Sequence, residues 1–251
     1  MISIANSYET MTFLALAGGF EILERLRPAR EVDRWKHLKI DVVSFALAIL
    51  MNRISQYSIT GSLNAHAPAA ILGGWAALRG LPSSMRIFLA IMLADFVIYW
   101  IHRAQHGFGP LWQTHQWHHS TQQLYWFSGF RVSFLHTFIY NIPEAAVPIL
   151  VFNLSPLEVS VAYSIALLIQ FWEHTNLNID IGPLRYFFIT PAYHRVHHSV
   201  DHNRRNFGAT FSLWDRIFGT YCDPARVPAD TPLGLGELYG AKRMARMLVG
   251  F

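Results

Sequence analysis

The sequence predicts an all-α, integral-membrane helical bundle of about four to five spans plus a re-entrant or interfacial helix, with a cytosolic histidine-rich metal-binding cap. Three observations predict it. The 251 residues are 52% hydrophobic and only 14% charged, against about 25% charged in soluble domains, which is too little polar surface to wrap a soluble body. Apolar runs recur at close to the ~20 residues that a crossing helix needs. Histidines crowd into a few short stretches beside the ends of those runs. The densest, Trp100 to Thr121, holds His102, His106, His115, His118 and His119.

The single cysteine, Cys222, excludes an intrachain disulfide framework, a cysteine zinc ribbon and an iron–sulfur cluster, which leaves imidazole as the metal donor. The net charge of +4 is mild, and nothing in it marks a nucleic-acid partner.

The first apolar stretch, Met11 to Phe20, has no basic region before it, so a retained span rather than a cleaved leader is expected. With its flanks, Ile4 to Leu23, it reaches crossing length, with Glu9 and Glu21 as interruptions. Arg25 to Lys39 follows as a polar loop rich in arginine and broken by Pro28. Ile40 to Ile59 is the next span, apolar apart from Asp41 and the Asn52-Arg53 pair. Between Thr60 and Ser84, the apolar part, Ala67 to Leu78, is too short to cross and reads as re-entrant or interfacial. Arg86 to Ile101 is a third span, and its end delivers His102 and His106. Val132 to Phe152 is a fourth, kinked at Pro143 and Pro148. After Asn153-Leu154-Ser155-Pro156, with Ser155 as a helix cap, Leu157 to Trp172 is a fifth span ending at Glu173-His174. The rest, to Phe251, is polar and basic. No internal repeat or low-complexity segment occurs.

Threading these spans back and forth places the Arg25 to Lys39 loop, the segment from His102 to Arg131 and the C-terminal tail on one side. Seventeen of the twenty Lys and Arg fall there, so the positive-inside rule makes that side cytoplasmic. Every histidine cluster falls on it as well.

The histidines have metal-ligand spacing. Positions four apart on a helix lie roughly 40° from each other, so His102 and His106 share a face. His115, His118 and His119 form an H-x-x-H-H motif whose doubled histidine can turn toward two neighbouring ions. His194, His197 and His198 repeat it, and His174 sits alone beyond the fifth span. Nine imidazoles exceed the four ligands of a zinc site and the roughly six of any transition-metal ion, so they imply two metals with positions left open. Imidazole alone does not choose among zinc, copper, iron and nickel. Without H-E-x-x-H, a metalloprotease base is not presented in its usual place, and oxygen activation by two irons fits better than zinc hydrolysis. Two other classes are weighed: a zinc-dependent membrane hydrolase and a haem-binding electron-transfer bundle, whose porphyrin the H-H doublets would crowd.

The order H-x-x-x-H, H-x-x-H-H, lone histidine, H-x-x-H-H resembles the fatty acid hydroxylase and sterol desaturase superfamily of integral-membrane di-iron oxygenases. Further stretches carry the likeness: Asp95-Phe96 leading into Tyr99-Trp100-Ile101-His102-Arg103, Gln170 to Thr175, Thr190-Pro191 leading into His194 to His198, and Asn206-Phe207-Gly208 followed by Trp214 to Tyr221. The pattern is nearest to the alkylglycerol monooxygenase-like branch with its bacterial members. The likeness covers about residues 86 to 222; the first eighty residues match only as generic spans. The resemblance implies that His102, His106, His115, His118, His119, His174, His194, His197 and His198 bind two irons. It further implies that O2 and external electrons are used to hydroxylate a C–H bond of a lipid (fatty acyl, alkylglycerol, sterol or carotenoid), with desaturation as the allied outcome. The chain carries no G-x-G-x-x-G fingerprint, so an external redox partner is expected. A pterin is one candidate donor, and zinc can replace iron in purified protein. The expected setting is a bacterial inner membrane with the metals on its cytoplasmic side.

The expected domains are 1-85, N-terminal spans and interfacial segment; 86-222, the catalytic region; and 223-251, a cytosolic tail. His136 is expected at most as a partner that orients a ligand, and His202 as a tenth ligand, a partner that orients one or a surface residue. Asp95 is expected either to accept a hydrogen bond from a ligand imidazole or to be satisfied by Arg53. Glu144, between two prolines, reads as a helix-packing partner. Tyr125-Trp126-Phe127 reads as an acyl-channel wall or an interfacial belt, Trp214-Asp215-Arg216 as structural closure of the cap, and His37 and His66 as surface residues.

Overall fold

The computed structural model describes residues 2–66, 76–236 and 239–251. Among them the chain is helical, with isolated β-bridges and no strand. Five long helices dominate: α1 (Ile2–Leu26), α2 (Arg34–His66), α3 (Ser83–Gly107), then, after the short α4 (Gly109–His115), α5 (Phe134–Ala146) and α6 (Pro156–His174). Two of these segments, Ser83–Gly107 and Phe134–Val151, are long and apolar enough to cross a membrane by length and composition. The expected interfacial stretch Ala67 to Leu78 lies mostly outside the described residues; Ala76–Arg79 is helical.

The local sequence accounts for the helix ends. Ser155 accepts from the Glu158 amide, the Glu158 side chain returns to the Ser155 amide, and Pro156 fills the first position, a capping box at the start of α6. Ser133 caps α5 by accepting from His136 N. The expected kink takes the form of a π-helical turn, Val147–Val151, that follows Pro143 and contains Pro148.

Buried polar contacts fix which helix ends lie together. At one end, Glu24 of α1 accepts from the amides of Trp126 and Asn176 and from Arg34 at the start of α2 (2.8, 2.7 and 2.8 Å). Asp41 of α2 receives Arg131 and the Tyr125 hydroxyl there. The C-termini of α3 and α6 and the N-terminus of α5 arrive at this same end. At the other end Arg86 of α3 reaches Glu158 of α6 and the Phe152 carbonyl. Hence α2 and α5 run away from the histidine end, whereas α1, α3 and α6 run toward it. Asn141 Nδ2 bonds Asn52 Oδ1 (2.8 Å) and the Ser55 hydroxyl, so α2 and α5 are joined in register midway.

Some expectations change. Helix α2 starts at Arg34, so the basic loop is shorter than Arg25 to Lys39, because ion pairs to Glu21 and Glu24 hold the Arg34 turn against α1. His37 is partly buried with its Nε2 unpartnered, rather than a surface residue; the side chain of His66 lies outside the described residues. Tyr125, Trp126 and Phe127 tie the cap to α1 and α2, through Asp41, Glu21 and the Phe45 ring.

Candidate metal centre

Four chain segments bring the nine histidines together. The last turns of α3 carry His102 and His106. Helix α4 ends at His115, and the following 3-10 turn, His118–Ser120, holds His118 and His119. His174 closes α6. The fourth segment is α7 (Pro191–His197), started by Thr190, whose hydroxyl accepts from Tyr193 N, with Pro191 at its first position; His198 is its C-cap. None of the nine is more than 6% exposed.

Their ring nitrogens sort into two groups, each with its donors within 4.8 Å of one another: His102, His106, His115, His119 and His197, and His118, His174, His194 and His198. The H-x-x-H-H spacing explains the sorting. Within each motif the i, i+4 pair shares a face and enters one group, and the middle histidine, displaced around the turn, enters the other. The groups abut where the His119 and His198 rings stack at 4.4 Å between centroids.

Hydrogen bonds fix the tautomers of four rings. The Nδ1 atoms of His102, His118, His174 and His197 face the carbonyls of Phe207, Arg131, Gln170 and Arg205 at 2.8, 3.2, 2.8 and 2.8 Å. A carbonyl only accepts, so each Nδ1 carries the proton and each Nε2 presents a lone pair inward. In the second group the Nε2 atoms of His118, His174, His194 and His198 form a closed quadrilateral with edges of 3.0–3.2 Å. Donors about 2.1 Å from a shared cation stand about 3 Å apart, so these separations fit one metal ion. In the first group the Nε2 atoms of His106 and His197 are buried without a hydrogen-bond partner. A buried lone pair left unmatched is costly, and a cation among these nitrogens removes the cost. Burial and the neighbouring imidazoles hold His115, His118, His119, His194 and His198 well below the usual histidine range, and burial does most of this at His197. The rings are therefore neutral at pH 7, as metal ligands must be.

Three other expected residues lie outside both groups. His136 Nδ1 faces His115 Nδ1 at 3.0 Å, so it orients His115 from behind. His202 is turned away, its Nδ1 3.4 Å from the Ser199 hydroxyl. Asp95 meets neither an imidazole nor Arg53. It accepts from the amides of Thr210 and Phe211 and from Trp214 Nε1 (2.8, 3.1 and 2.9 Å), anchoring a loop to α3. Asp215 plays a comparable part beneath α7, accepting from the amides of Phe207 and Gly208 at 2.8 Å each and from the Tyr193 hydroxyl. Through Phe207 it sets the carbonyl on which His102 rests.

Glu173 also stands at the histidine cluster, where sequence reasoning passed over it. Its carboxylate oxygens lie 3.5 Å from the Nδ1 atoms of both His174 and His194, so one buried acid backs two members of the second group. Its place beside His174 was the only local signal, and His194 reaches it from another element.

A cavity of about 520 Å³ opens from the histidines into the helix bundle. His118, His174 and His194 line one part of it, and Phe45, Ile98 and Leu167 line its apolar walls.

The fatty acid hydroxylase family model matches residues 87–220. Alkylglycerol monooxygenase of Danio rerio is 31% identical over 217 residues, 82% of this chain and 47% of the relative. Ornithine lipid hydroxylase OlsE of Rhizobium tropici is 31% identical over 157 residues, 61% of this chain and 46% of the relative. Human alkylglycerol monooxygenase is 36% identical over 138 residues, 53% of this chain and 30% of the relative. The chain thus spans about half or less of the length of these curated relatives. No solved structure matches it. Since the matched segment begins within α3 and contains all nine buried histidines, the chain belongs to the fatty acid hydroxylase family.

Proposed function

We propose that the chain is a membrane-bound di-iron monooxygenase that hydroxylates a C–H bond of a lipid-phase substrate, using O2 and electrons from an external donor. The observation that carries this reading is the junction of two histidine groups with an apolar cavity. On this proposal His102, His106, His115, His119 and His197 would hold one iron, and His118, His174, His194 and His198 the other. The irons, when bound, supply the oxidising power that a protein side chain lacks.

The chain's own residues do the rest. The four backbone carbonyls behind Nδ1 fix ring orientation, and Glu173 and His136 back the remaining rings. The apolar walls align an acyl chain with the histidines and keep water from the reacting carbon. In this reading the five long helices cross the membrane, residues 86–222 form the catalytic region between the N-terminal spans (1–85) and a tail (223–251), and the histidine end faces the cytoplasm.

Two measurements test the proposal. Metal analysis of protein purified without added metal should give close to two irons per chain, and His118→Ala, His119→Ala, His197→Ala or His198→Ala should each reduce that content and abolish turnover. Lipid mass spectrometry of cells with and without the gene should reveal a product heavier by one oxygen. A product lighter by two hydrogens would make the enzyme a desaturase, and zinc with no oxidised lipid would replace the proposal by a hydrolase.

A further inference from the structure

The cavity has a second polar level, away from the histidines. Arg53 and Gln56 of α2 and Glu144 of α5 line it there. The Asn141–Asn52 bond fixes their level. Arg53 follows Asn52, and Gln56 and Glu144 lie about one turn further along two helices that both run away from the histidine end. The rise from His136 to Glu144 along α5 is roughly 12 Å. Between the two levels the walls include the apolar Ala94, Ile98 and Leu167 beside Thr137 and Tyr140.

Arg53 and Glu144 share a further property. Neither has a hydrogen-bond or ion-pair partner among the described residues, and they do not pair with each other. Asp95, the other carboxylate on this stretch of wall, is fully engaged by Thr210, Phe211 and Trp214. Arg53 is exposed and Glu144 partly buried on the chain by itself, but both sit on helices proposed above to cross the membrane, where a charge not met by a partner is costly and marks a ligand site by default. Opposite charges on one cavity, kept apart, complement a ligand that carries both signs.

We propose that Arg53 and Glu144 receive the headgroup of a zwitterionic lipid, its anionic group on Arg53 and its ammonium on Glu144. The chain then runs down the apolar walls with its tail toward the histidines. This rests on the lipid hydroxylation proposed above, and it fixes which carbon reacts: one well down the chain, at a set distance from the head. Arg53 and Glu144 are thereby specificity-determining residues, whereas the histidines are indifferent to the head.

The test uses the metal-loaded protein in lipid nanodiscs and three single-chain probes: a zwitterionic lysophosphatidylethanolamine, an anionic fatty acid and a neutral monoalkylglycerol. Binding is read from the change in tryptophan fluorescence, which needs no turnover. The zwitterionic probe should bind most tightly. Arg53→Gln and Glu144→Gln should each weaken it by about tenfold, with Arg53→Lys retaining most of the affinity. In turnover with a series of chain lengths, the oxidised carbon should keep its count from the head. The proposal is overturned by equal affinity for all three heads, by a position counted from the methyl end, or by oxidation beside the head. If the variants do not fold, the ranking of the three probes on the unaltered protein decides. Head-selective binding without oxidation of any probe would leave the head site standing and remove the hydroxylase reading instead.

Discussion

Gly129 shows how tightly single residues hold the histidine cluster. A Cβ on it would lie 2.5 Å from Cγ of His174, a ring already held by its bond to the Gln170 carbonyl. The ring has to give way, so Gly129→Ala should cost about 1–3 kcal/mol and displace His174 from its group. Thermal unfolding and metal content measured together check this, and a variant that keeps both would show that the ring moves freely. Protonation acts at the same scale. In metal-free protein, His115, His118, His119, His194, His197 and His198 are held below the ordinary histidine value of about 6.5. The unfolded chain therefore binds more protons than the folded one below about pH 6.5, so stability is complete above that pH and is lost as pH falls. Each group contributes up to about 1.4 kcal/mol per pH unit within its window. Denaturant midpoints of metal-free protein should fall steeply between about pH 7 and about pH 5.5, and a flat profile would contradict neutral, buried rings.

Among the elements, α3 carries both the histidines that spacing identifies and an aspartate whose role spacing misassigns. Asp95 lies on the helical face of His102, which suggested a ligand partner, but its acceptors are used by a loop more than a hundred residues later in the chain. Asp95→Ala should strand the Thr210 and Phe211 amides and the Trp214 indole and cost about 2–3 kcal/mol. Metal affinity should change little beyond that. A 10–100-fold loss of metal affinity in otherwise stable protein would restore the role of ligand partner. The contrast shows what was legible in the sequence. The sorting of His115 with His119 and His194 with His198 follows from local helical geometry, and so does the cap at Ser155. The engagement of Asp95, the bridge that Glu173 makes between His174 and His194, and the early start of α2 at Arg34 all depend on distant segments meeting, which periodicity does not encode.

At the scale of the whole molecule, helix directions and charge point the same way. The loops, cap and tail gathered at the histidine end carry most of the twenty Lys and Arg, whereas Arg79 and Arg86 belong to the opposite end. In the proposed membrane reading, the positive-inside rule would put the histidines on the cytoplasmic side. Cys222, the single cysteine, is partly exposed and follows the Trp214 to Tyr221 stretch at the histidine end, so it is a native reporter of sidedness. Arg79, exposed near the other end, offers the complementary position once Cys222 is replaced. A membrane-impermeant maleimide added to spheroplasts should label the double variant Cys222→Ala, Arg79→Cys and leave the native chain unlabelled. In inverted vesicles the pattern should reverse. Labelling of native Cys222 from outside would turn the bundle over and move the metal centre away from any cytoplasmic electron donor.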